Sequence, residues 1–257
     1  SQVPNPPIDP VRESRVMSLK TRLGNLGNVL DEDESQLRLI ELDSPVLTNA
    51  EFEALRAHMG RTAVEVDCTF DAEGGEQALR ASIDRIRSEA EDGVRAGGVH
   101  VILTDERVGA ERAAIPMILA TGAVHGHLVR QNLRTFISLD IRAGECMDVH
   151  HLAVLIGSGA TTVNPYLAEE AIAERHERGL LGSMPLADRV RLYKEALDQG
   201  MLKIMSKMGI AVISSYRGGY NFEAVGLSRT LVAEFFPGMP SRISGIGLPG
   251  IVLKVLE

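Results

Sequence analysis

From about residue 61, short apolar runs alternate with longer segments in which apolar residues recur every three or four positions. After Gly74-Gly75, one helical face carries a set of five apolar residues: Leu79, Ile83, Ile86, Ala90 and Val94. A second set lies near the C-terminal end: Leu186, Val190, Tyr193, Leu197, Met201, Ile204 and Met208. These spacings predict two amphipathic helices. Shorter helices are predicted over 124–133 and 147–156, and one capped by Asn49 carries Phe52.

The short apolar runs predict strands. Five runs have the required length and composition: 63–68, 99–103, 135–140, 161–163 and 210–213. A less regular run at 231–235 is a candidate sixth strand. Strands that alternate with helices are typical of an α/β fold with a mostly parallel sheet. A closed barrel needs eight strands, so the sequence predicts a partial or irregular barrel-like α/β domain.

The first 60 residues differ from the rest. Four prolines between Pro4 and Pro10 exclude a helix or a central strand there. We therefore expect residues 1–60 to form an extended N-terminal arm and linker that packs on the domain. Residues 61–236 form the β-α repeat domain, and residues 237–257 are expected to be an exit segment.

Composition narrows the function classes. The net charge of −8 argues against nucleic acid as a partner, because phosphate binding needs clustered Lys and Arg. The two cysteines of the 257-residue chain are too few for a disulfide framework or an iron–sulfur cluster. Since the sequence has no signal peptide and no apolar run of transmembrane length, we expect a cytoplasmic protein with no membrane contact.

Metal binding and lysine chemistry find little support in the pattern. Cys146 and His150 could share a helix face, but the adjacent His150 and His151 would point about 100° apart on a helix. Together with His125 and His127 they match no structural zinc spacing, so no metal site is predicted. Two lysines that flank an apolar helix stripe, Lys203 and Lys207, are predicted to be solvated.

Two glycine-rich segments resemble ligand-binding loops. Residues 245–250 match the pattern G-x-G-x-x-G, but Pro249 removes an N–H donor and the expected acidic residue is missing. We therefore predict a flexible exit segment there. Ser214, Arg217, Gly218 and Gly219 follow a predicted strand and precede a predicted helix through Phe222 and Val225. Such a turn could hold a phosphate, although a tight structural turn with a structural or interdomain role for Arg217 is favoured.

Several long segments carry more information about the family of the protein than its composition does. Gln2–Pro10, Leu42–Leu47 and His150–Ala168 each resemble segments of the glutamate synthase central domain. The strongest resemblance runs from Gly200 through Ser215-Tyr216-Arg217-Gly218 to Leu227. Ser241–Leu248 resembles the exit of that domain toward the flavin domain.

The resemblance implies a fold like a flavin-binding TIM barrel without the flavin. In that family, a glutamine amidotransferase domain and a synthase domain holding FMN and a 3Fe-4S cluster flank the central domain in the same polypeptide. No family catalytic residue, FMN contact or cluster ligand maps onto this chain. The resemblance therefore implies a non-catalytic connector that binds no cofactor and has no activity as a fragment.

An alternative from a different class remains open. A free-standing barrel-like enzyme or phosphate binder could use the loop at 214–219. The sequence does not indicate whether the parent protein takes electrons from NADPH or ferredoxin.

Overall fold

The computed structural model describes residues 13, 15–28, 30 and 34–257. The proline-rich segment predicted to be extended therefore lies outside the described residues. The strands in chain order are β1 (Thr21–Leu23), β2 (Ile40–Leu42), β3 (Ala63–Asp67), β4 (Thr69–Asp71), β5 (His100–Thr104), β6 (Arg112–Ala114), β7 (Ser138–Arg142), β8 (Thr162–Asn164), β9 (Val225–Leu227) and β10 (Ile243–Ile246).

The helices are α1 (Asn49–Met59), α2 (Gly75–Arg95), α3 (Met117–Arg130), α4 (Val149–Gly157), α5 (Tyr166–Glu177), α6 (Leu186–Lys207), α7 (Ile213–Tyr216), α8 (Arg229–Phe235) and α9 (Leu248–Leu256). The fold is α/β, as predicted, and its central sheet is parallel in the order β3-β5-β7-β8. Among the described residues this sheet is open, so no closed barrel forms.

Helices α2, α3 and α4 cover one face of the central sheet. The five apolar residues that predict α2 are all buried, as expected for an amphipathic helix laid on a sheet. They join the main core, to which the sheet contributes Val101, Leu103 and Leu139.

The opposite face is covered by the β1–β2 hairpin and α1. Leu23, Phe52 and Met59 pack there against Ile102 of β5. Helix α1 begins one residue earlier than predicted, since Thr48 and Glu51 form a capping box around its first turn. The part of residues 1–60 that the structure describes thus supplies a second, smaller core.

Two of the predicted strands are wrong. Over 210–213, Val212 makes only an isolated bridge with Ser18, and α7 begins at Ile213. The run at 231–235 belongs to helix α8, whose first turn is capped by Ser228. Short apolar runs do not distinguish a strand from a buried helix, and α8 buries Leu231, Val232 and Phe235 at helical spacing.

Two predictions for the C-terminal region also differ from the structure. The predicted helix through Phe222 and Val225 is absent, and Val225 instead begins β9. Residues 245–250, predicted to be flexible, contain the end of β10 and the start of α9. β9 and β10 pair in parallel, and α9 packs on α2 through the buried Leu248 and Val252. None of the described helices combines the length and apolar character needed to cross a membrane.

Candidate functional site

The inner face of the central sheet, which faces α1 and the β1–β2 hairpin, is polar and buried. Along β7, Ser138, Asp140 and Arg142 lie on this face and alternate with Leu139 and Ile141 of the main core. The flanking strands add further buried polar residues to it: His100, Thr104, Thr162 and Asn164. Because burial of an unpaired polar group is costly, each of these side chains needs a partner.

Asp140 is the centre of the first group. Its carboxylate accepts hydrogen bonds from the Ser138 hydroxyl at 2.7 Å and from the Thr162 hydroxyl at 2.6 Å. Burial raises the pKa of Asp140 to about 6, although both hydroxyls and the nearby guanidinium groups of Arg134 and Arg217 favour its ionised form. At neutral pH the carboxylate is therefore mostly charged.

Arg134 joins this group to the end of α4. Its guanidinium donates at 2.8 Å to each of two carbonyls, those of Ile137 and Gly159, and at 3.0 Å to His125 Nδ1. Burial, with a smaller effect of Arg134, lowers the pKa of His125 to about 3. This histidine, weighed as a metal ligand from sequence, is a neutral hydrogen-bond acceptor.

In the candidate anion loop at 214–219, Arg217 and both glycine N–H groups bond to other parts of the chain. Arg217 donates to the Thr21 hydroxyl on β1. The N–H groups of Gly218 and Gly219 donate to the carbonyls of Ile156 and Tyr216, each at 3.1 Å. Ser214 is exposed. Both glycine donors on which a phosphate cradle depends are thus committed, and the anion site stays a prediction.

Arg142 forms a second group at the carboxyl end of β7. Its guanidinium lies between the rings of Phe52 and Tyr166, 4.8 Å and 5.0 Å from their centroids. It also donates to Asn164 Oδ1 at 2.8 Å and pairs with Glu106 at 2.8 Å. Through stacking and charge-assisted hydrogen bonds, this arginine links β7 to α1, α5 and β8.

Asp105 closes the same end of the sheet. Its carboxylate accepts from the N–H of Gly144 at 3.0 Å and 3.1 Å. Burial raises the pKa of Asp105, and the hydrogen bonds from Gly144 and Tyr166 oppose that rise. Barrel enzymes place their chemistry at this end of the strands, but here the polar groups mainly bond one another.

The other sequence candidates are dispersed. Cys146 is fully buried while His150 is exposed, and the described residues contain no group of three or more side chains that could hold a metal ion. Burial raises the pKa of the Cys146 thiol to about 12. Lys203 and Lys207 are both exposed, and Lys203 lies 3.8 Å from the carboxylate of Glu13.

Sequence reasoning missed the polar inner face. Its signal was present, since Ser138, Asp140 and Arg142 alternate at the period of a strand, and Thr162 and Asn164 repeat that period. The apolar residues between them dominated the prediction. Only pairing with β5 places these side chains beside His100.

Comparisons with known proteins relate most of the chain to glutamate synthases. The family model described as "Glutamate synthase central domain" matches residues 1–228. The chain is 70% identical to the NADPH glutamate synthase large chain of Azospirillum brasilense, over all of this chain and 17% of that protein. It is 38% identical to the NADH glutamate synthase of Saccharomyces cerevisiae, over 96% of this chain and 12% of that protein.

A further relative is ferredoxin-dependent glutamate synthase 2 of Synechocystis, 37% identical over 100% of this chain and 17% of that protein. A mutant flavocytochrome b2 with pyruvate bound superimposes with a TM-score of 0.44 and 14% identity, over 76% of this chain and 43% of that one. The chain spans 12–17% of the length of these glutamate synthases. It belongs to the family of glutamate synthase central domains.

Proposed function

We propose that this chain is a non-catalytic connector within a glutamate synthase, joining the glutamine amidotransferase domain to the FMN and iron–sulfur synthase domain. The observation that carries the proposal is its end-to-end match to a small share of much longer glutamate synthases, 17% in the relative that is 70% identical. A segment of that kind is one domain among several in one polypeptide.

The chemistry of the described residues supports a structural role. The polar side chains of the inner face bond mainly to one another and to the backbone. Both thiols, Cys68 and Cys146, are buried, and burial raises the pKa of each. A nucleophilic cysteine instead needs a lowered pKa and access to substrate.

The proposal assigns cofactors and partners to the neighbouring domains. FMN and the 3Fe-4S cluster would bind in the synthase domain, and the two flanking domains would be this chain's partners in glutamate biosynthesis. Two free cysteines fit a reducing compartment, so we place the protein in the cytoplasm.

A chimera tests the connector role. This chain replaces the matching segment of the Azospirillum brasilense large chain, and a second chimera carries a flexible Gly–Ser linker of similar reach. We expect the first chimera to make glutamate from glutamine. The linker chimera should hydrolyse glutamine without coupling it to glutamate formation.

The connector role is contradicted if the first chimera folds and performs both partial reactions but fails to couple them. The isolated chain provides a second test. We expect neither glutaminase activity nor reductive amination of 2-oxoglutarate from it, and either activity would contradict the proposal. The alternative, an enzyme or phosphate binder that uses the loop at 214–219, is tested by calorimetric titration with FMN, sugar phosphates and nucleotides. Binding to one of these ligands that is lost in Arg217→Ala would favour a phosphate site in the loop.

A further inference from the structure

A cavity of 380 Å³ opens at the end of the central sheet where β5 begins. Its wall includes Gly24, Asn25, Arg38 and His100, with apolar surface from Ile40 and other residues. The volume is at the lower end of the range for small-molecule sites. No residue of the 214–219 loop is among the residues that line the cavity, and the connector role does not involve it.

His100 contributes a hydrogen-bond acceptor to this cavity. The Ser138 hydroxyl has one proton and donates it to Asp140 at 2.7 Å. Ser138 Oγ can therefore only accept from His100 Nδ1, 2.7 Å away. This relay places the imidazole proton on Nδ1 and leaves a lone pair on Nε2.

The environment of His100 keeps its ring neutral. The side chain is 4% exposed, and burial, with a smaller effect of His58, lowers its pKa to about 4. No described residue forms a hydrogen bond with Nε2. Nε2 is not among the fully buried side-chain atoms that lack a partner, so it is accessible from the cavity, where a ligand donor can take the place of water.

The other polar groups of the wall favour an anion. Arg38 is exposed and forms no ion pair with any described residue. Asn25 Oδ1 accepts from the Gly27 N–H at 2.7 Å, so its amide N–H groups remain available as donors. No carboxylate is among the described residues that line the cavity. From those residues a carboxylate ligand would meet a cation and an amide donor.

We propose that this cavity binds a small hydroxy-carboxylate. Its carboxylate lies on Arg38 and Asn25, and its hydroxyl donates to His100 Nε2. The apolar wall leaves room for a short carbon chain. A carboxylate without a hydroxyl would leave the His100 acceptor to water and would make one direct hydrogen bond fewer, so the site favours the hydroxy acid over the acid that lacks the hydroxyl.

The test compares L-malate with succinate, which differ by one hydroxyl. Each acid is titrated by calorimetry into the 257-residue chain, whose described residues form a main core and a second, smaller one. We expect L-malate to bind about fivefold more tightly than succinate. Arg38→Ala should weaken malate binding about tenfold. The control is Arg178→Ala, at an exposed arginine that follows the last residue of α5 and does not line the cavity, and it should leave binding unchanged. Equal affinity for both acids, no binding of either, or no effect of Arg38→Ala would overturn the proposal.

A second measurement needs no variant. Nitrogen-15 NMR of the labelled imidazole reports which ring nitrogen of His100 carries the proton. We expect the Nδ1–H tautomer at pH 7. If Nε2 carries the proton in the free chain, the cavity offers a donor in place of an acceptor, and the proposal is wrong.

Discussion

The Ser44 hydroxyl donates a hydrogen bond of 2.6 Å to the Asp198 carboxylate and so ties the loop before α1 to the middle of α6. Burial raises the pKa of Asp198 to about 6, although this hydrogen bond and Lys194 oppose the rise. The contact joins the segment before α1 to α6, and it makes the stability of the fold depend on pH.

We expect Asp198→Asn to change the pH dependence of stability. The folded state binds the Asp198 proton more tightly than the unfolded state, so the wild type loses stability as pH rises from about 4 to above 6. The amide still accepts from Ser44 but does not titrate. As the pH rises over that range, the free energy of unfolding of the variant relative to that of the wild type should therefore increase by about 1–2 kcal/mol, allowing for screening by solvent.

Urea denaturation at pH 4, 5, 6 and 7 measures this difference. Asp188→Asn, in the exposed first turn of the same helix, is the matched control. A difference between Asp198→Asn and wild type that stays constant with pH would contradict the assignment.

Loss of Arg142 should destabilise the chain strongly. Arg142→Met keeps much of the packing between Phe52 and Tyr166 but leaves Glu106 and Asn164 without their partner. We expect a loss of about 3 kcal/mol in the free energy of unfolding. Arg142→Lys keeps the charge without the planar fork and should fall between the variant and the wild type in urea denaturation. A loss below about 0.5 kcal/mol for Arg142→Met would show that the stacked arginine is dispensable.

Gly245 should tolerate no side chain. A Cβ there would lie 2.0 Å from the carbonyl oxygen of Gly226 on β9, whereas a Cβ at Gly247 would find its nearest neighbour at 3.6 Å. We expect Gly245→Ala to separate β9 from β10, at a cost of about 2 kcal/mol or more, while Gly247→Ala is nearly neutral. Hydrogen exchange of residues 243–256 should accelerate only in Gly245→Ala, with the strands β5 and β7 still protected. Equal exchange in the two variants would argue against close β9–β10 pairing.

The two thiols should be unreactive in the native chain. Cys68 and Cys146 have no exposed surface, and burial raises the pKa of both, so neither access nor thiolate is available. We expect Ellman's reagent to detect no rapidly reacting thiol in the folded chain and two after unfolding in guanidinium chloride. Rapid labelling of either residue in native buffer would mean that the core opens there.

Sequence patterns predicted long or repeated elements well. The spacing from Leu79 to Val94 identified α2 because five apolar residues over four turns cannot fit the two-residue period of a strand. The pattern failed at 231–235, where one apolar run fits a strand or a helix. There the Ser228 cap and the packing of Phe235 in the main core decide for the helix.

The sequence by itself determined the α/β class, the four strands of the central sheet, the long helices and the resemblance to the glutamate synthase central domain. These depend on local periodicity and on long matched segments. Only the tertiary structure decided that Asp140, Ser138 and His100 form a relay, that Arg217 turns toward Thr21, and that β9 pairs with β10. The contacts of His100 with Ser138, of Arg217 with Thr21 and of β9 with β10 each join separate elements, and strand register and helix packing, which no local pattern encodes, bring them together.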